Sequence, residues 1–200
     1  MSVSFLAVSP VLVPLGTAML ATAASRRPGL QQAISFAGIA ALAVCALMLV
    51  AQASSGVPAV AQFGGWVAPF GIEFVVDGTG ASLVLITALM GVASLLFLVS
   101  DADPGPRHPL LLPLVHGVLA GVGGSFSTAD LFNLYVWFEV MLICSVGLFA
   151  IGGRVDQLDG TFKYLALNLF GTMLLLMSVG LIYGATGHLN FTALGEASAQ

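Results

Sequence analysis

The chain has 200 residues, of which 58% are hydrophobic and 7% charged, and its formal net charge is −4. A soluble domain carries about 25% charged residues, and the mean hydropathy here is +1.06. A water-soluble globule is therefore excluded, and the chain reads as an integral membrane protein.

About 17–25 apolar residues are needed to cross a bilayer. Stretches of that kind lie at 5–24, 33–53, 81–99, 110–126, 131–151 and 162–183. They predict an all-α, polytopic bundle of six spans in a single membrane domain, residues 1–200. No Lys or Arg precedes the first stretch, whereas Arg26 and Arg27 follow it. That charge order favours a retained helix with an outer N-terminus over a cleaved signal peptide, although Ala21-Thr22-Ala23 resembles a cleavage site. Pro10 and Pro14 bend this helix, which is tolerated where neighbours satisfy the freed carbonyls.

In the second stretch Ala33, Ala37, Ala41 and Cys45 recur every fourth residue and predict a close-packing face. Loop 54–80 is rich in Gly, Pro and aromatics. Its segment 71–77 has strand-like composition and is expected to pair with 64–66 as a short extracytoplasmic β-hairpin-like arm. Trp66 and Phe70 are expected at headgroup level. A tight turn at 127–130 joins the fourth and fifth spans, with Thr128 or Asp130 placed to cap the fifth helix. Residues 185–200 form an outer tail. Cys45 and Cys144 sit in apolar runs and read as small packing residues.

The basic residues Arg26, Arg27, Arg107, Arg154 and Lys163 all fall on one side of this six-span arrangement. The positive-inside rule makes that side cytoplasmic and places both chain ends outside.

Glu139 lies near the middle of the fifth span, about 18 Å from its inner end at 1.5 Å per residue. A carboxylate at bilayer depth costs about 2.5–3.5 kcal/mol on insertion scales and is usually kept for moving ions or protons. A protonated glutamic acid bonded inside the bundle is the structural alternative. His116 lies in the fourth span, roughly 10 Å from its inner end. It reads equally as a proton shuttle or as a packing histidine. Gly117 and Gly121 belong to the same crowd of small residues and indicate tight packing. Lys163 opens the sixth span, either as a headgroup anchor or as the inner mouth of a path through His116 to Glu139. Asn168 either extends that path or bonds a neighbouring helix. Asp130 and Tyr135 are supporting polar groups on the fifth span. No phosphate loop, metal cluster, haem ligand pair or basic patch is present, so no cofactor, metal or nucleic acid is expected.

The run DLFNLYVWFEV at 130–140 closely resembles the D-type subunit of the Mrp-type multisubunit Na⁺/H⁺ antiporters. Gly64-Gly65-Trp66 with Ala68-Pro69-Phe70-Gly71-Ile72 resembles the same protein. So does Gln157-Leu158-Asp159-Gly160 with Lys163-Tyr164 and Gly187-His188-Leu189-Asn190. The D-type subunit is in turn similar to the antiporter-like proton-pumping subunits of complex I and of membrane-bound hydrogenases. The resemblance implies two inverted five-helix repeats. It places Glu139 on the family's essential fifth-helix glutamate, which in the family pairs with a lysine on a seventh helix. The chain stops at Gln200, before that lysine would occur, and is expected to be the N-terminal portion from a fragment, split or truncated gene. The implied function is a non-enzymatic Na⁺(K⁺)/H⁺ antiporter subunit in the bacterial cytoplasmic membrane. Its implied partners are other membrane subunits, the lipid bilayer, H⁺ and Na⁺ or K⁺. The alternatives are a proton-pumping subunit of a complex I-like dehydrogenase or hydrogenase, and an inactive structural fragment.

Overall fold

The computed structural model describes residues 5–63, 71–100 and 108–198. In chain order the elements are α1 (Phe5–Ala23), α2 (Pro28–Ser54), β1 (Ala59–Phe63), β2 (Ile72–Val76), α3 (Gly78–Ser100), α4 (Leu111–Ser127), α5 (Leu131–Ala150), α6 (Val155–Thr186) and α7 (Phe191–Ser198). Helices α1, α2, α3, α5 and α6 are long and apolar enough to cross a membrane, and α4 is a shorter apolar helix of 17 residues. The protein is thus a multi-pass, largely helical membrane protein, with one small sheet among the described residues.

Helix ends extend beyond the hydropathy windows where local chemistry carries the helix on. Pro28 opens α2 at a position where its missing N–H has no intrahelical partner to lose. Asp77 starts α3 by accepting the Gly80 N–H at 2.7 Å. Helix α6 begins at Val155, seven residues before the expected span, because hydropathy marks the apolar part of a helix and its polar first turns are helical too. Its end is set by Gly187, whose φ of 72° fits a residue without Cβ. The expected outer tail contains α7, whose first turn is capped by Asn190 Oδ1 accepting the Thr192 N–H at 2.9 Å.

The core lies among α1, α2, α3 and α4, with α5 packed on α4 and α6 packed on α5. Backbone chemistry explains how α1 and α4 meet. Pro10 has no N–H, so the Leu6 carbonyl loses its helical donor. The Ser9 hydroxyl donates to that carbonyl at 2.8 Å. Pro14 frees the Pro10 carbonyl in the same way, and this oxygen lies so close to Gly123 of α4 that a Cβ there would collide with it. The prolines in α1 and the glycine in α4 are one feature.

On its other side α4 meets α5 through more glycines. A Cβ on Gly117 would strike Cys144 Sγ, one on Gly124 would strike the Trp137 ring, and one on Gly121 would come within 2.8 Å of Met141. The α2 stripe behaves otherwise. Ala33, Ala37 and Ala41 are exposed, and α2 instead buries Gln31, Ser35, Ile39, Leu42, Ala46 and Leu49. Close approach to α1 comes from Gly38, which lies against Thr17. Four-residue spacing of small side chains does not by itself say which face is used.

The hairpin forms with a different partner strand from the one expected. β2 pairs antiparallel with β1, Val60 opposite Val75 and Gln62 opposite Glu73. Segment 64–70, with Trp66 and Phe70, lies outside the described residues. Val60 and Phe63 supply the β-branched and aromatic side chains that the glycine pair at 64–65 lacks.

The hairpin is continued sideways by two non-helical links. Phe74 bridges Thr128 and Asp130 bridges Asn190, both antiparallel. The Ala129 N–H donates to the Glu73 carbonyl at 3.0 Å, the Phe191 N–H to the Ala129 carbonyl at 2.9 Å, and the Leu131 N–H to the Leu189 carbonyl at 3.0 Å. Glu73 adds side-chain bonds, accepting from Asn190 Nδ2 at 2.8 Å and Gln62 Nε2 at 3.4 Å. This clasp ties the start of α5 and the end of α6 to the hairpin. At the opposite end Gln31 Nε2 joins the Ala21 carbonyl (3.0 Å) to the Pro109 carbonyl (2.7 Å), linking the α1–α2 connection to the start of α4.

Replacing Gly123 with alanine is expected to lower stability by about 1–3 kcal/mol through overpacking, read as a lower melting temperature in detergent or nanodiscs. Asn190→Ala leaves the half-buried Glu73 carboxylate without its shorter partner. The expected cost is about 1–3 kcal/mol, with faster hydrogen exchange at Ala129 and Leu131. Unchanged exchange there would mean the clasp holds without that side chain.

Candidate functional site

Helix α5 is positioned at its start by a compact polar cap. Asp130 Oδ1 accepts the Asn133 N–H at 2.8 Å, and Asn133 Nδ2 donates to Thr128 Oγ1 at 2.9 Å. Of the two candidate caps, Asp130 is the one that bonds the helix, and Thr128 holds the asparagine beside it. Phe74 of the hairpin stacks beneath at 6.3 Å from the Trp137 ring. Trp137 in turn fills the space over Gly124. The cap, the hairpin and the glycine seam together set the rotation of α5.

That rotation decides where Glu139 goes. Trp137, Met141 and Cys144 face α4. Glu139 follows Trp137 by two residues, roughly 200° around the helix at 3.6 residues per turn. It therefore lies on the side of α5 away from α4, beside the exposed residues Phe132, Val136 and Ile143. Glu139 is half-buried. Its Oε1 is shielded from solvent and has no hydrogen-bond partner. Tyr135, one turn earlier on the same face, lies against the carboxyl group with its hydroxyl towards it. A buried polar atom without a partner is unusual in a folded protein and calls for an explanation in terms of function or of an absent neighbour.

The other sequence candidates fall in different places. His116 is 1% exposed. Its ring lies against the Ser35 backbone of α2, and its Nε2 has no partner. Lys163 pairs with Asp159 at 2.5 Å on a side of α6 where both side chains are more than 60% exposed (71% and 63%). Asn168 donates to the Tyr164 carbonyl of its own helix at 2.8 Å, not to a neighbouring helix. Tyr164 meets Phe149 of α5 edge-on at 4.8 Å. Gly117 and Gly121 line the α4–α5 seam. Among the described residues no hydrogen bond or ion pair joins Glu139, His116 and Lys163 to one another.

Sequence reading did not single out Glu73, Gln62 and Asn190, which meet across 117 residues of chain in the case of Glu73 and Asn190. The available signals were that Glu73 interrupts a strand-like run and that Asn190 closes the Gly187-His188-Leu189-Asn190 stretch of the family resemblance. Ser35 was also missed, because a lone serine in an apolar helix carries no pattern.

Residues 128–200 match the family model described as NADH:quinone oxidoreductase/Mrp antiporter, transmembrane. Glu139 lies within that match. The D-type subunit of the Na(+)/H(+) antiporter of Alkalihalophilus pseudofirmus is 36% identical over 190 residues, covering 94% of this chain and 38% of the relative. Among solved structures, the Mrp complex from Dietzia sp. DQ12-45-1b contains a chain that superposes with a TM-score of 0.85 at 33% identity. That match covers 98% of this chain and 39% of the other. An archaeal membrane-bound sulfane sulfur reductase contains another, with a TM-score of 0.86 and 27% identity over 94% of this chain and 39% of the other. The chain thus spans about two fifths of the length of the relatives it matches. Along almost the whole chain, sequence and fold are similar to about two fifths of a D-type Na(+)/H(+) antiporter subunit, and residues 128–200 match the family model shared by NADH:quinone oxidoreductases and Mrp antiporters.

Proposed function

We propose that this chain is the N-terminal part of a proton/cation-translocating subunit of a multisubunit Na⁺(K⁺)/H⁺ antiporter, and that Glu139 takes up and releases the proton. The observation that carries this reading is the shielded, unpartnered Oε1 of Glu139 in the middle of a membrane-crossing helix. A glutamate kept only for packing would be expected to have its hydrogen bonds satisfied within the bundle. The similarity to the D-type Na(+)/H(+) antiporter subunit points the same way.

The chemistry follows from electrostatics. A carboxyl group in a poorly solvated position is stable as the neutral acid, or as the carboxylate when a cation stands close by. In this cycle a cation and a proton alternate at Glu139, the arrival of one accompanying the departure of the other. Alternation between these states exchanges protons for cations if each state opens to a different side. Tyr135 provides a hydroxyl beside the carboxyl to orient it in either state. Lys163, with Asp159, stands at the mouth of the path on the side carrying the basic loops. The subunit acts as a secondary transporter, without a catalytic reaction of its own.

The proposed setting is one membrane domain over residues 1–200 crossing the bacterial cytoplasmic membrane six times, with α4 as the shortest crossing. The ends carrying Arg26, Arg27 and Arg154 face the cytoplasm, and the clasp and the N-terminus face outside. The side of α5 bearing Glu139 and most of α6 would be covered by the rest of the subunit and by other membrane subunits. Likeness to the sulfane sulfur reductase complex supports a second reading, in which the same fold serves proton pumping inside a redox-driven complex. Copurification with iron–sulfur or flavin subunits would select that reading.

In everted vesicles carrying the assembled complex, Glu139→Gln is expected to reduce cation-dependent collapse of a pH gradient to the level of vesicles without the complex. Subunit assembly should be unchanged, and normal exchange in this variant would overturn the assignment. Lys163→Met is expected to slow exchange while changing stability by less than about 0.5 kcal/mol, since exposed i,i+4 ion pairs contribute little. Full exchange in that variant would reduce Lys163 to a headgroup anchor.

A further inference from the structure

We propose that Ser35 and His116 form a buried hydration site in the seam between α2 and α4, reached from the end of the bundle that carries the basic loops and separate from Glu139. Both residues are 1% exposed. The His116 ring lies against the Ser35 backbone, so the two residues touch. Its Nε2 is buried and has no partner. The Ser35 hydroxyl has none either. Most serine and threonine hydroxyls elsewhere in these helices bond a carbonyl of the preceding turn, as Ser9, Thr17 and Thr87 do. Ser35 departs from that habit at the one place where it meets a histidine.

Two unpartnered polar atoms on touching, fully buried residues fit a bound water. A buried water makes about three hydrogen bonds to groups that would otherwise go unsatisfied. It bonds Nε2 and the serine hydroxyl together. Access follows α2. Gln31 precedes Ser35 by one helical turn on the same buried face and spans the Ala21 and Pro109 carbonyls at the end of the bundle. Polar side chains thus descend from that end to His116. The site differs from Glu139 in direction as well as in chemistry, because α4 turns His116 towards α2 and meets α5 through Gly117, Gly121 and Gly124.

The test uses the full subunit in its membrane complex, with Cys45 and Cys144 replaced by alanine. Ser35→Cys is exposed to Ag⁺ from the side of the basic loops, and the thiol that remains free is counted with a maleimide after denaturation. Blocking is expected to be about tenfold faster than for Ala37→Cys on the exposed, apolar face of the same helix, since intramembrane polar sites face water and the apolar face meets lipid. Hydroxyl-radical footprinting of the unsubstituted complex reads the same site without a mutation and decides the matter if the variant fails to assemble. Oxidation at His116, corrected for intrinsic reactivity, is expected to exceed that at the equally buried Leu42 by about tenfold, as a neighbouring water supplies the radical. Equal blocking at positions 35 and 37, or His116 oxidised no more than Leu42, would overturn the proposal. Neither readout depends on exchange activity, so the outcome stands apart from the role of Glu139.

Discussion

The close approach of α4 to its neighbours is the constraint on which the arrangement depends. Inside a bilayer there is little hydrophobic force between helices, so they associate where their backbones can come near and their polar groups are satisfied. Helix α4 meets this condition on two sides at once. Gly123 admits the Pro10 carbonyl of α1, and Gly117, Gly121 and Gly124 admit the side chains of α5. The prolines of α1 free carbonyls that must be accommodated, and Ser9 and Gly123 accommodate them. A glycine-rich helix that would be weak alone is held by what packs into its gaps.

The position of Glu139 follows from that seam. Once Trp137, Met141 and Cys144 are committed to α4, the helical repeat leaves Glu139 on the far side of α5. The carboxyl group lies at the boundary of the described bundle, half-shielded, beside a stripe of exposed apolar side chains. Helix α6 is likewise open, burying only Thr161 and Val179 among the described residues.

The clasp shows a different principle. Hairpin, α4–α5 link and α6–α7 link share one set of backbone bonds, with Glu73 joined through both its carbonyl and its carboxylate. Strand-like pairing satisfies the non-helical backbone of three connections together. It also fixes the starts of α3 and α5 and the end of α6 relative to one another.

The sequence alone determined the class, the number of apolar segments and the candidate acid. Each of these rests on a property carried by single residues or short windows: scarcity of charge, length of apolar runs, one glutamate at bilayer depth. The resemblance carried by the run at 130–140 likewise needed only adjacent residues. Tertiary structure decided what depends on rotation and on distant partners. It turned the alanine stripe of α2 outward, paired β2 with 59–63, separated His116 from Glu139, and brought Asn190 to Glu73. The reason is geometric, since spacing along a helix defines a face but not which neighbour that face will meet. Only the packing of prolines against glycines settles that choice.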